Sequence, residues 1–327
     1  MRKQLAGALA CAFLLAGCSN KTKTSSGEID SNLTHIAIVQ YAQHPALDDA
    51  NKGFVAALEE NGYDESKVLL DSYNAQNDAS NVETIATTVI NNNPDLIYGI
   101  ATPVAQGIAQ KTSEIPLVIS AVTDPAASGL VDSNELPGTN VTGTSDMVNV
   151  DVMVNLLLEV VPDAKTVVIM YCSSEDNSKI QADALEALLT EKGLSVKHFT
   201  ASDSSYVQST VDSVKGQVDA MLIPTDNLMA ESMPMISQSL NEMQIPSIVG
   251  EPALVEAGGT VSKGVDYYQL GYQAGLMAIE ILEGKNPAEM PVYFVDDADL
   301  SLAVNQSSLD SCGLSMDSNV FEGAKVY

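Results

Sequence analysis

THIAIVQYAQHPALDDANKGFVAALEENGY (residues 34–63) decides the fold, because KTVVIMYCSSEDNSKIQADALEALLTEKGL (165–194) repeats its plan 131 positions later. Each opens on a short apolar run, passes through a polar loop, and continues at helical spacing to a glycine, Gly62 or Gly193. In the first copy Phe54, Val55 and Leu58 share a helix face, and Gly62 suits the position just past the helix end. The repeat goes on. PDLIYGIATPVAQGIAQ (94–110) and EIPLVISAVTD (114–124) correspond to VDAMLIPTDNLMAESM (218–233) and QIPSIVGEPA (244–253). Asp95 matches Asp219 and Pro116 matches Pro246, at offsets of 124 and 130. HIAIVQY, VLLDSY, DLIYGI and PLVISAV are short apolar runs flanked by turn residues, which suits parallel strands buried on both faces. Strands alternating with amphipathic helices imply one doubly wound parallel sheet per copy. The expected fold is therefore α/β, with two such lobes and a ligand-sized cleft between them.

The pattern continues after the second copy. GVDYYQLGYQAGLMAIEILEGK (264–285) reads as a helix with Leu270, Ala274, Met277, Ala278 and Ile281 on one side, and MPVYFVD (290–296) reads as a final strand. In a clamshell, this helix returns to the first lobe and the tail crosses back. The expected division is residues 34–143 plus 264–291 for lobe 1, and 144–263 plus 292–327 for lobe 2. Three hinge crossings follow, near Thr142–Met147, Ser262–Val265 and Pro291–Asp296. Gly143 and Gly264 suit a hinge, and equally suit ordinary turns.

The first 17 residues have the pattern of an export signal: Arg2 and Lys3, then an uncharged apolar stretch from Leu5 to Leu15, far short of a bilayer span of about 20 residues. Leu15-Ala16-Gly17-Cys18 matches a lipobox, so Cys18 is expected to carry lipid, with residues 18–33 as a polar tether. Without Arg2 and Lys3 the chain keeps 13 basic residues against 43 acidic ones, a net of −30. That balance argues against binding nucleic acid or anionic lipid, both of which call for a basic face. Cys172 and Cys312 would lie in a disulfide-permissive compartment, free or bridged to each other.

Catalytic templates are absent. The chain has no G-x-S-x-G elbow, no phosphate-cradling G-x-x-x-x-G-K-[ST], no H-E-x-x-H and no C-x-x-C. Three scattered histidines support neither zinc nor a Cys–His pair, so no metal, no cofactor and no enzymatic activity is expected.

QYAQHPALDDANKGF (40–54), YNAQND (73–78), GIATPVAQ (99–106), SAVTDP (120–125), SSEDNS (173–178), PTDN (224–227) and GVDYYQLGYQAG (264–275), taken in order, resemble the ABC-transporter substrate-binding lipoproteins of the tryptophan/tyrosine type. The resemblance runs from about Thr34 to Gly313. It implies the type I periplasmic-binding-protein fold, a small ligand such as an aromatic or branched L-amino acid, and a monomer that hands the ligand to a permease with a cytoplasmic ATPase. The alternative is a sensor that presents its ligand to a membrane signalling protein. Cys172 departs from the pattern, where a small polar residue such as Asn fits.

Ligands of open parallel sheets meet the loops at the strands' carboxyl ends. In lobe 1 those loops carry Tyr41 and His44, then Ala101, Thr102 and Pro103, then Thr123 and Asp124. In lobe 2 they carry Ser173, Ser174, Asn177 and Ser178, then Asp226 and Asn227, then Glu251. For an amino acid, Thr102, Thr123 and the serines are the expected carboxylate donors, beside helix N-termini. Asp226 is the expected ammonium partner, with Asp124 and Glu251 behind it. Tyr41 and His44 are expected to wall the side chain. Thr102-Pro103 and Asp226-Asn227, equivalent by register, are expected to face each other. Tyr267 and Tyr268 are expected to serve core packing near the hinge.

Overall fold

A computed structural model describes residues 33–316 and 319–327. The lipobox at Cys18 lies outside the described residues.

The first repeat forms β1 (Thr34–Gln40), α1 (Pro45–Glu60), β2 (Val68–Asn74), α2 (Ala79–Asn91), β3 (Leu96–Ile100), α3 (Thr102–Ala109), β4 (Leu117–Ser120) and β5 (Val141–Gly143). Its five strands are all parallel, in the order β2-β1-β3-β4-β5. After α4 (Val150–Val160), the second repeat forms β6 (Thr166–Cys172), α5 (Asp176–Glu191), β7 (Ser195–Ala201), α6 (Ser204–Asp212), β8 (Ala220–Ile223), α7 (Asn227–Met243), β9 (Ser247–Val249), α8 (Pro252–Glu256) and β10 (Val261–Gly264). Then come α9 (Tyr267–Leu282), β11 (Ser301–Val304), α10 (Gln306–Ser311) and β12 (Lys325–Val326). The second sheet runs β12-β11-β10-β9-β8-β6-β7. Its first five strands in sequence repeat the order of the first sheet, and β11 is added antiparallel to β10. The fold is α/β with two doubly wound sheets, of the type I periplasmic-binding-protein kind.

β1 and β3 are buried almost throughout because helices cover both faces of their sheet. α9 lies against α1 so closely that only glycine fits at the crossing. A Cβ on Gly53 would stand 2.0 Å from the Tyr268 carbonyl oxygen, and one on Gly271 would stand 1.9 Å from that of Ala50. Leu270, Ala274 and Ala278 of α9 thereby join the core of the first sheet with Phe54 and Leu58. α4 does the reverse. It follows β5, yet packs Val154, Leu157 and Val160 into the core beside β6 and β8. Each repeat thus ends on a helix lodged with the other repeat's sheet.

The expected strand at 290–296 does not form. The segment touches the crossing after β5 at a single bridge, Thr144 with Tyr293. There Tyr293 donates its amide to Gly143 (2.9 Å) and accepts from Ser145 (2.9 Å), and Met290 accepts from the Thr142 hydroxyl (2.7 Å). Short 3-10 turns at Pro287–Glu289 and Asp297–Asp299 flank it, leaving too little extended chain for a ladder. The regular strand lies later, as β11.

Candidate functional site

Among the described residues, four side-chain contacts join the loops and helix starts of the first sheet to those of the second. His44 Nε2 stands 3.4 Å from Asn227 Oδ1, and Asn77 donates to Glu231 (2.9 Å). Gln106 donates to Asp176 (3.2 Å), and the Thr123 and Thr225 hydroxyls stand 3.4 Å apart. α7 therefore meets the start of α1, and α3 meets the start of α5. The expected pairing of Thr102-Pro103 with Asp226-Asn227 is not among these contacts. Register identifies equivalent loops, but two lobes related by a two-fold bring non-equivalent loops together away from the axis.

Between these contacts lies a narrow cavity of ≈ 10 Å³, lined by His44, Leu47, Ala121, Asp146, Asn177, Thr225, Asp226, Asn227, Glu251 and Tyr267. Each polar wall has a local cause. His44 precedes the Pro that opens α1 and bonds to none of the helix's first amides. Its ring is buried, which pushes its pKa down, so it is neutral near pH 7. Asp146 sits on the crossing after β5, fixed by the bonds of Ser145. Glu251 occupies the cap position of α8 without bonding to it. Tyr267 opens α9, whose amides are capped by the neighbouring Asp266.

Asp226 is differently employed. One carboxylate oxygen caps α7 at the Met229 amide (2.8 Å) and the other accepts from the Cys172 amide (2.6 Å). Glu175, which the sequence reading passed over, lies beside it, 2% exposed, and accepts from the amides of Asn227 (3.2 Å) and Leu228 (3.1 Å). Burial disfavours the charge of both carboxyls, and the Asp226 charge adds to this at Glu175, so both are held above the usual carboxylate range. Asp226 and Glu175 thus complete the α7 N-terminus, and their oxygens are taken.

The other expected residues divide. Thr102 is buried at the start of α3 with its hydroxyl unpartnered. The cap residue before it, Ala101, has no side chain to offer the first amides, and Ala101 and Ala121 hold φ of 84° and 56°. Such backbone costs roughly 1–3 kcal/mol per residue and clusters at ligand sites. Pro103 is half-buried behind Thr102, and Tyr41 is buried at the end of β1. Asn177 and Ser178 are buried, with Asn177 donating to the Thr225 carbonyl (3.2 Å). Ser173 and Ser174 are exposed, outside the cavity. Asp124 turns into its own loop, accepting from Ala126, Ala127 and Asn134. Cys172 and Cys312 are free thiols, and burial pushes the Cys172 thiol up to about 12. No His/Cys/Asp/Glu cluster suited to a metal occurs among the described residues.

Two lobes closed over a narrow polar cavity, with side-chain acceptors on its walls, define a class: a receptor that binds a small molecule by closure. The family model for ABC transporter substrate binding proteins matches residues 35–326. The chain belongs to that family, whose members bind rather than transform their ligands. It is 40% identical to the tyrosine-binding protein of Clostridioides difficile (strain R20291) over 90% of this chain and 87% of that one. The structure of an ABC domain in complex with L-Trp from Streptococcus pneumonia is 34% identical, with a TM-score of 0.86 over 90% and 99% of the chains. The ligand-free, open structure of a substrate-binding protein with adhesive properties from Clostridium difficile is 41% identical, covers the same shares, and reaches a TM-score of 0.69. The less identical chain superposes better. A rigid rotation of lobes lowers superposition without any change in sequence, and the contacts across the cleft show which arrangement this is: closed.

Proposed function

We propose that the protein is the lipid-anchored receptor of an ABC importer for an aromatic L-amino acid, tryptophan or tyrosine. It is held at Cys18 on the extracytoplasmic face, and its lobes, 34–143 plus 264–291 and 144–263 plus 292–327, close about the three crossings. The observation that carries the ligand class is the polarity of the closed cleft. Buried acceptors line the cavity, and Thr102 at the start of α3 carries an unpartnered hydroxyl donor. That is the pairing an α-amino acid requires. Leu47, Ala121 and the neutral His44 ring add a wall for a flat side chain. The relatives' ligands, tyrosine and L-Trp, point the same way.

The test uses a property of the sequence itself. The chain contains no Trp, so tryptophan fluorescence reports only the ligand. Titrating L-Trp with the chain from residue 33 onward should change that fluorescence to saturation, and L-Tyr should compete. At a hundredfold excess over Kd, the ligand raises stability by about 2.7 kcal/mol, roughly 4 °C in Tm for a chain of this size. Unchanged melting with L-Trp, L-Tyr and L-Phe would reject the aromatic ligand class.

A further inference from the structure

Three acceptor oxygens on the cavity wall have no partner: Asp146 Oδ1, Glu251 Oε1 and Asn177 Oδ1. Each is buried, on residues 4%, 3% and 4% exposed. The Asn177 amide is oriented by its own bond, since its NH2 must face the Thr225 carbonyl. No Lys or Arg lines the cavity. An orphaned buried oxygen is costly, more so if charged, so three in one cavity point to an occupant made of donors.

Proton counting sharpens this. The Tyr267 hydroxyl donates to Asp146 Oδ2 (2.7 Å) and also lies against the Glu251 carboxyl. One hydroxyl has one hydrogen. With both carboxyls ionised, the phenol can satisfy only one of them, and two negative charges stay buried together. The empty closed cavity therefore needs protons on this pair, and an occupied one needs a cation.

We propose that the ligand's ammonium sits between Asp146 and Glu251, with Asn177 as third acceptor and Tyr267 as the brace that positions both carboxyls, and that the ammonium replaces protons the pair holds when the cleft is closed and empty. This rests on the amino-acid reading above and moves the ammonium seat from Asp226 to the hinge side of the cleft. An ammonium has three N–H donors for the three orphan oxygens, and His44 Nδ1 is a fourth unpartnered atom on the same wall. Asp226 and Glu175 stay in place as the fixtures of α7. Both carboxyls of the seat are held above their usual range, chiefly by burial, Glu251 up to about 8. The titratable groups facing the seat are His44 at the start of α1, Asp226 at the start of α7 and Tyr267 from α9. Of these only His44 is basic, and its burial keeps it neutral.

Calorimetry of the chain from residue 33 onward with L-Trp, in two buffers of different ionisation enthalpy from pH 6 to 8.5, tests the exchange. The expected result is net proton release on binding and affinity rising with pH over this range. N-acetyl-L-Trp, which keeps ring and carboxylate but has no ammonium, should not bind. Asp146→Asn and Glu251→Gln should each lose at least tenfold in affinity, and Glu251→Gln should also lose most of the proton release. Binding of N-acetyl-L-Trp within threefold of L-Trp, or a pH-independent affinity without proton release, would overturn the proposal even if neither variant folds. If no aromatic amino acid binds, the aromatic reading fails separately. The proposal is then read from a melting screen of the remaining L-amino acids with their N-acetyl forms, and it falls if no amine-bearing compound stabilises or if acetylation makes no difference.

Discussion

Replacing Asp226 by Ala separates a residue that holds the protein together from one that holds the ligand. Its two oxygens are committed to the Met229 and Cys172 amides, at 2.8 and 2.6 Å, on a residue 4% exposed. Losing a helix cap costs about 0.5–2 kcal/mol. The Cys172 amide, at the end of β6 where no water reaches it, is then left unpaired, at about 1–3 kcal/mol more. One effect opposes these: removing the Asp226 charge relieves Glu175, whose carboxyl that charge destabilises. The net expectation is a loss of about 2–4 kcal/mol for Asp226→Ala. Asp226→Asn, which keeps one acceptor, should lose about half of that.

Urea unfolding of the empty protein, followed by circular dichroism, measures the loss, and L-Trp fluorescence measures affinity in the fraction that remains folded. The expected pattern is a large stability loss with affinity within about fivefold of wild type. The opposite pattern, stability within 0.5 kcal/mol of wild type and affinity down by roughly a hundredfold or more, would refute the reasoning (~2.7 kcal/mol at a hundredfold). It would return Asp226 to the ligand.

Thr102→Val should show the reverse split. Its hydroxyl has no partner, so the isosteric change raises empty-state stability by up to about 1 kcal/mol while lowering L-Trp affinity about five- to tenfold, measured by the same two assays. The empty receptor should also close more readily in acid. Glu251 in the closed cleft holds its proton up to about pH 8, against about 4.5 when solvated, so its contribution to closure is fully present below pH 4.5 and is lost as pH rises toward 8. Small-angle scattering should give a smaller radius of gyration at pH 5 than at pH 8.5 without ligand, and equal radii with saturating L-Trp. A larger radius at pH 5 would contradict the sign.

The fold was legible because its evidence is local. Apolar runs such as HIAIVQY, glycines closing helices and a repeat of constant plan need no knowledge of what lies across the cleft. The site was legible only where local rules reached it. His44 stands out as part of the loop after β1 and through the family resemblance, and the repeat's register also marks Glu175, 131 positions on, which occupies the same position before α5. Among so many acids Glu175 looked like surface charge, and burial beside Asp226 is what sets it apart. Asp146 carries no mark in the sequence, and Tyr267 reads there as core packing near the hinge, for a different reason. They lie on the crossings, where the pattern of strands and helices pauses. Yet Asp146 stands three residues past Gly143, the end of β5, and Tyr267 three past Gly264, the end of β10. They are equivalent positions of the two repeats. Away from the two-fold, equivalent loops are kept apart, and so Thr102 does not meet Asp226. On the axis they must meet, and the Tyr267 hydroxyl reaches Asp146 at 2.7 Å. The crossings that relate the repeats therefore contribute a residue from each to the same wall of the cavity. With the ammonium seated as proposed, the ligand would touch these crossings and act directly on the segments proposed to turn as the lobes close.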